Sequence, residues 1–160
     1  MDQPHNLEAE EALLACCLLD NAAYDSISTI VNEDDFYGNS NKIIFKAISK
    51  LCSSGKEFSE LDLDEFLKRE GTDKEAGGLS NIMYIQGQAS SSLQIGSHAN
   101  IIKEKSKLRQ IIRTSRIAIE SAIENQDPDV IIADIERAVT ATLDNNSTND
   151  PSILSLIHIW

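Results

Sequence analysis

Long apolar runs are missing from this chain. The longest mostly apolar stretch, Ile153–Trp160, is far too short to span a membrane. The first residues, MDQPHNLEAEE, are acidic and polar, so they are not a secretory signal. Cysteine is scarce: three cannot all pair, and no CxxC is present. Cys16 and Cys17 are adjacent on a predicted helix, and Cys52 lies on the apolar face of another; all three read as reduced thiols in a cytosolic core. His5, His98 and His158 show no metal-ligand spacing with them or with each other. Basic residues are outnumbered 14 to 26, for a net charge of −12, so the surface as a whole is unsuited to nucleic acid.

Catalytic signatures are missing too. Gly55-Lys56 is the nearest approach to a phosphate loop, but that motif needs glycine where Lys50 stands and Ser/Thr where Glu57 stands. No GxSxG, HExxH or spaced acid/base pair occurs, and no nucleophile has an evident base nearby. No stretch reads convincingly as a strand, and no internal repeat is visible. What remains is 160 residues, enough for one domain, or one plus an appendage, with a sizeable core.

The strongest pattern is Ser97 to Ile123, SHANIIKEKSKLRQIIRTSRIAIESAI. Ile101, Leu108, Ile112, Ile119 and Ala122 recur at helical intervals, with Ile111, Ala118 and Ile123 widening the stripe. Neither proline nor glycine interrupts it. Glu-Asn-Gln-Asp-Pro then breaks it, with Asp127 placed to cap a new helix and Pro128 at its first position. The second arm, Asp129 to Leu143, aligns Ile131, Ile135, Ala138 and Thr142, with Val139 beside them. Two long helices joined by so short a turn form an antiparallel hairpin.

Charge changes sign at this hairpin. Residues 1–95 hold seven Lys/Arg against 17 Asp/Glu; residues 96–124 hold six basic residues (Lys103, Lys105, Lys107, Arg109, Arg113, Arg116) against three acidic. Residues 125–160 return to one against six. A basic helix in an acidic protein has two readings. It is a solvated face neutralised by acidic residues of its own fold or a neighbouring subunit, or it is a docking surface for an acidic partner or a DNA strand.

Before the hairpin the chain reads as short helices. Asn6 caps the first, whose face is Leu7, Leu14 and Leu18, with Leu13 and Cys17 beside them. A second runs from Ala22 to Val31. Glu33-Asp34-Asp35 lacks the spaced ligands of a calcium loop and reads as a helix start with solvated charge; Phe36 and Tyr37 read as core anchors. Asn39 or Ser40 caps a third helix carrying Ile44, Phe45, Ile48, Leu51 and Cys52, and Gly55 supplies a left-handed stop. Ser59 opens a fourth with Leu63, Phe66 and Leu67, ended by Gly71. A weak helix from Leu79 to Gln86 and a Ser-rich joint, Ala89–Gly96, complete the head. After Leu143 the pattern stops: DNNSTNDP reads as a linker, and the nine residues beyond it read as the tail of a chain cut off before a second domain, their native origin left open by the sequence.

These residues resemble a known family. Pro4-His5-Asn6-Leu7-Glu8-Ala9-Glu10, then Ala12-Leu13-Leu14 and Leu18-Leu19-Asp20-Asn21, resemble the opening of the bacterial and phage replicative DNA helicases, the DnaB-like family. Glu33 to Tyr37, Ile44-Phe45-x-Ala47-Ile48, Gly55, Gly77-Gly78-Leu79 and Ala99-x-Ile101-Ile102-x-Glu104-Lys105-Ser106-x-Leu108-Arg109 are similar to its later signatures, in the same order over residues 4–143. Glu11 stands where the family often has Gln, Asn41 where His is common, and Ala76 in place of the usual hydrophobic residue before the glycine pair. These departures read as divergence, in a phage or mobile-element copy or a distant lineage. The family's RecA-like motor, with its Walker motifs, has no counterpart here.

The resemblance implies an all-α fold: a six-helix globular head (residues 1–95), a protruding antiparallel hairpin (96–143), then linker and tail (144–160). It implies a cytoplasmic N-terminal domain that oligomerises and contacts primase and a helicase loader, with single-stranded DNA passing only through the full-length ring. The parent would unwind duplex DNA with ATP and Mg²⁺; this chain carries no catalytic residue, cofactor site or metal site of its own. By position, Ile101, Leu108, Ile112, Ile131, Ile135 and Val139 are assigned to subunit pairing, or only to gluing the two arms together. Lys105, Arg109, Arg113 and Arg116 are candidate partner contacts. The alternative is a stand-alone helical adapter that binds helicase, primase or loader.

Overall fold

The structure, a computed structural model, describes residues 2–89 and 94–144. Its helices are α1 (Leu7–Leu19), α2 (Ala23–Ile27), α3 (Asn39–Ser53), α4 (Glu60–Glu70), α5 (Gly78–Gly87), α6 (Ile95–Ile123) and α7 (Pro128–Asp144), with a 3₁₀ turn at Glu33–Asp35. No strand occurs among the described residues. The chain forms two compact units, Met1–Ser106 and Lys107–Trp160. The expected linker and tail from residue 145 onward lie outside the described residues.

The first unit is built around α1. Asn6 caps it by accepting the Ala9 N–H at 2.9 Å, and Glu8 and Glu10 sit in its first turn as the helix dipole favours. Its sequence suggests one buried face, but Ala12 through Leu18 are all buried and Leu7 is half-exposed. A helix that is apolar all round is buried all round. Here α1 packs against α2, α3 and α5. Around it sit Ile27, Ile44, Phe45, Ile48, Leu63, Leu67, Ile82, Ile85 and Ile102. Phe36 joins this core 4.6 Å from the Phe45 ring. Tyr37 does not: its ring stacks on His5 at 4.3 Å, outside the core.

Helix ends follow local chemistry. Ser59 and Asp62 form a capping box on α4, and Gly71 stops it at φ +73°. The second helix is shorter than expected, ending at Ile27, though Val31 is still buried by the turn that follows. Helix α3 departs from expectation. Neither Asn39 nor Ser40 caps it; Gly38 is the cap residue and offers no side chain. The carboxylate of Glu10 instead holds the chain that leads into it. It accepts the N–H groups of Tyr37 at 2.7 Å and Gly38 at 3.1 Å, and the Asn41 amide at 3.0 Å. A Cβ on Gly38 would come within 2.9 Å of the Asn41 amide and 3.1 Å of the Glu10 carboxylate, so a larger residue must push these bonded side chains aside.

The head comprises α1–α5, the 3₁₀ turn and the root of α6. The expected boundary was residue 95; the compact units divide at Ser106, so Ile95–Ser106 of α6 lie with the head. The reason is burial: Ile95, Ala99, Ile102, Lys103 and Ser106 are buried in the first unit, and no residue of α6 beyond Ser106 is.

Candidate functional site

The second unit is a helical hairpin formed by Lys107–Ile123 of α6 and by α7. Residues Glu124–Asp127 join the arms. Asn125 takes φ +57°, Gln126 N–H bonds the Ser121 carbonyl at 3.1 Å and Asn125 N–H bonds that of Ala122 at 3.1 Å. This is a Schellman stop with asparagine at the left-handed position. Asp127 then accepts the Asp129 N–H at 2.9 Å, and Pro128 is the first residue of α7. The arms run antiparallel. Thr142, near the end of α7, donates to Gln110 at 3.0 Å, while Ile131, near its start, shares a groove with Ser121.

Ile131, Ile135, Ala138 and Thr142 are half-buried along the seam, on the face their spacing marks out. Two grooves flank it. One, of about 490 Å³, is lined by Ile117, Ala118, Ser121, Ile131 and Ala141 among others. The other, of about 350 Å³, is lined by Ile111, Ser115, Ile135, Val139 and Leu143 among others. No residue of α7 is buried. Leu108, Ile111, Ile117, Ile119, Ile123, Val130, Ile132, Val139 and Leu143 are all exposed, Ile123 to 74 % and Ile119 to 60 %. Isolated exposed leucines and isoleucines are ordinary; nine large apolar side chains on two helices with no core of their own are not.

The residues assigned to pairing are thus distributed. Ile131 and Ile135 line the seam, Leu108 and Val139 are exposed, and Ile112 is half-buried outside both grooves. Ile101 lies in the first unit and packs against its core. Ile117, Val130 and Ile132 were not singled out by sequence. They lie off the main stripe, and their signal was that apolar residues occur on more than one face of each arm.

The basic residues also divide. Arg113 and Arg116 are exposed and make no ion pair among the described residues; Lys105 and Arg109 are half-buried. Lys103 is not part of a basic face. It is buried, with Nζ 3.2 Å from both oxygens of Asp35. Asp35 is therefore not solvated charge, as its acidic neighbours suggest, but a buried ion-pair partner that also accepts Ser106 Oγ at 2.7 Å. Among the described residues no group of three or more His, Cys, Asp or Glu side chains could hold a metal ion, and no helix is long and apolar enough to cross a membrane.

Comparison with known proteins bears on this arrangement. The family model described as the DnaB-like helicase N-terminal domain matches residues 2–104. The chain belongs to that family. The DnaB-like match ends beside Ser106, where burial along α6 also ends. The replicative DNA helicase DnaB of Haemophilus influenzae is 30 % identical over 98 % of this chain and 34 % of its own length. That of Pasteurella multocida is 30 % identical over 92 % of this chain and 32 % of its own. The chain thus spans about a third of these DnaB relatives. The crystal structure of the N-terminal domain of DnaB helicase from Mycobacterium tuberculosis has a TM-score of 0.82 at 19 % identity, covering 87 % of this chain and 99 % of that one. A DnaB-like replicative helicase, solved to show its interactions with primase, has a TM-score of 0.64 at 17 % identity over 96 % of this chain and 34 % of that one. At these identities the likeness is one of fold: a DnaB-type all-α N-terminal domain.

Proposed function

We propose that this chain is the assembly domain of a replicative DNA helicase, and that its hairpin pairs with the hairpin of a second copy. The observation that carries this reading is the set of nine exposed large apolar residues on a unit with no buried residue among those described. Covering such a surface removes apolar area from water at roughly 25 cal/mol per Å². A second copy can do this on both sides of the seam with one two-fold contact. In the full-length protein such pairs would form the collar of a hexameric ring through which single-stranded DNA passes. The parent's motor would unwind duplex DNA with ATP and Mg²⁺; this chain would supply assembly and docking in the cytoplasm.

Arg113 and Arg116, exposed on the same arm, are suited to an acidic surface on primase, on a loader or on a neighbouring head. The test is solution mass by light scattering over a concentration series, for the wild type and for Ile111→Asp. Ile111 is exposed to 56 %, so the substitution costs little in folding. A wild type that assembles and a folded variant that stays monomeric place assembly on the hairpin. A wild type that is monomeric at every concentration sinks self-pairing and leaves the adapter reading, in which the same surface takes a different protein.

A further inference from the structure

We infer that Asp35 is a positioning residue: it fixes the point on α6 where the head stops holding the helix, and so presents the arm for pairing. The pairing clause rests on the function proposed above; the anchoring clause stands without it.

The residues that bury α6 in the first unit are Ile95, Ala99 and Ile102, then Lys103 and Ser106. The run starts apolar and ends polar. Its last two members are one helical turn apart, on one face, and both bind the Asp35 carboxylate. Lys103 Nζ lies 3.2 Å from each oxygen, and Ser106 Oγ donates to Oδ1 at 2.7 Å. The carboxylate is 3 % exposed and Lys103 11 %. Apolar contact would keep α6 close but let it turn about its axis. Donors aimed at two fixed oxygens set rotation as well as distance.

The anchor is itself held. Asp35 Oδ2 accepts the Asn32 N–H at 2.9 Å, closing a capping box on the 3₁₀ turn. Phe36, next in the chain, is in the core, and Glu10 of α1 grips the N–H groups of Tyr37 and Gly38. Asp35 is therefore tied to the central helix through Tyr37 and Gly38, and to the core through Phe36.

Beyond Ser106 α6 has no buried residue. Packed only along the half-exposed seam with α7, such a helix is marginal in water, and its turns propagate from an ordered end. Ser106 is that end in a monomer. Loss of the Asp35 contacts moves it back to Ile102, the last apolar residue of α6 in the core, and loosens the turn that leads into Leu108 and Ile111.

Amide hydrogen exchange on the full chain, diluted until monomeric, reads this directly. In the wild type, exchange is slow through Ser106 and steps up by about tenfold or more from Lys107 onward. Ser106→Ala, which leaves the ion pair and core intact, speeds the amides of the next two turns by about tenfold and those of α1 and α3 by less than about twofold. Ser106→Thr, which keeps the hydroxyl, restores the wild-type profile. Asp35→Asn moves the step back to Ile102. Self-association measured alongside weakens in Ser106→Ala and not in Ser106→Thr. Arm rates unchanged in both Ser106→Ala and Asp35→Asn overturn the anchor, as does acceleration spread evenly over α1, α3 and α6. If the wild type never self-associates, the pairing reading fails while the exchange step still decides the anchor.

Discussion

At the scale of single residues, the informative positions are buried polar ones. Glu10 satisfies three donors in a space that a Cβ on Gly38 would crowd. Gly38→Ala should therefore cost about 1–3 kcal/mol, the range for overpacking a filled site, read as a drop in denaturant midpoint with unchanged slope. A loss below a few tenths would show that the cradle yields. Asn41, where the family often has His, is legible only afterwards: its amide serves Glu10, which no spacing rule connects to a residue 31 positions away. Asp35 was misread for the same reason, since an acidic triplet gives no hint that its last member is buried against Lys103. Burial also governs the thiols. It pushes the Cys17 pKa well above the usual thiol range, so alkylation at neutral pH should label Cys52 long before Cys17. Equal labelling rates by mass spectrometry would contradict that burial.

At the scale of elements, helix periods and stops were the legible part. Ser59, Gly71, Asp127 and Pro128 do what their residue types favour, because each acts through its own neighbours. Elements whose approach is fixed from elsewhere were not legible: the chain entering α3 is held by a carboxylate on α1, which takes the N–H groups of Tyr37 and Gly38. Two predictions belong here. The Ser59 N–H and hydroxyl hold the Asp62 carboxyl below its ordinary pKa of 3.8. A lowered folded pKa means stability present above the unfolded value and lost as pH falls through the folded one. The α4 amides should therefore lose protection on acidification below 3.8, and Asp62→Asn should flatten that dependence. In the hairpin turn, Asn125 occupies a left-handed position at φ +57°. Asn125→Gly should be neutral or stabilising by up to about 1 kcal/mol, and Asn125→Val should destabilise by about 1–2 kcal/mol. Circular dichroism melts of the two variants decide it; a valine variant that melts with the wild type would remove the turn's role as the stop of α6.

At the scale of the whole molecule, the two units differ in what they bury. The first has a contiguous core from Ala9 to Ile102, while α7 has no buried residue at all. Periodicity alone does not separate these cases, since it gives the same stripe to a helix buried in its own domain and to one awaiting a partner. In the hairpin Ile117, Ile119 and Ile123 stay in water after the arms have met, and the proposed pairing rests on that remainder. A partner that binds only the folded hairpin stabilises it by mass action, by about 2.7 kcal/mol when present at a hundred times its dissociation constant. Unfolding should therefore show two transitions. The head's midpoint should not move with protein concentration, and the hairpin's should rise as concentration is raised a hundredfold. Ile111→Asp should remove that rise and leave the head's transition in place. A single transition insensitive to concentration would mean that the hairpin draws its stability from within this chain, and would sink the assembly reading at its physical root.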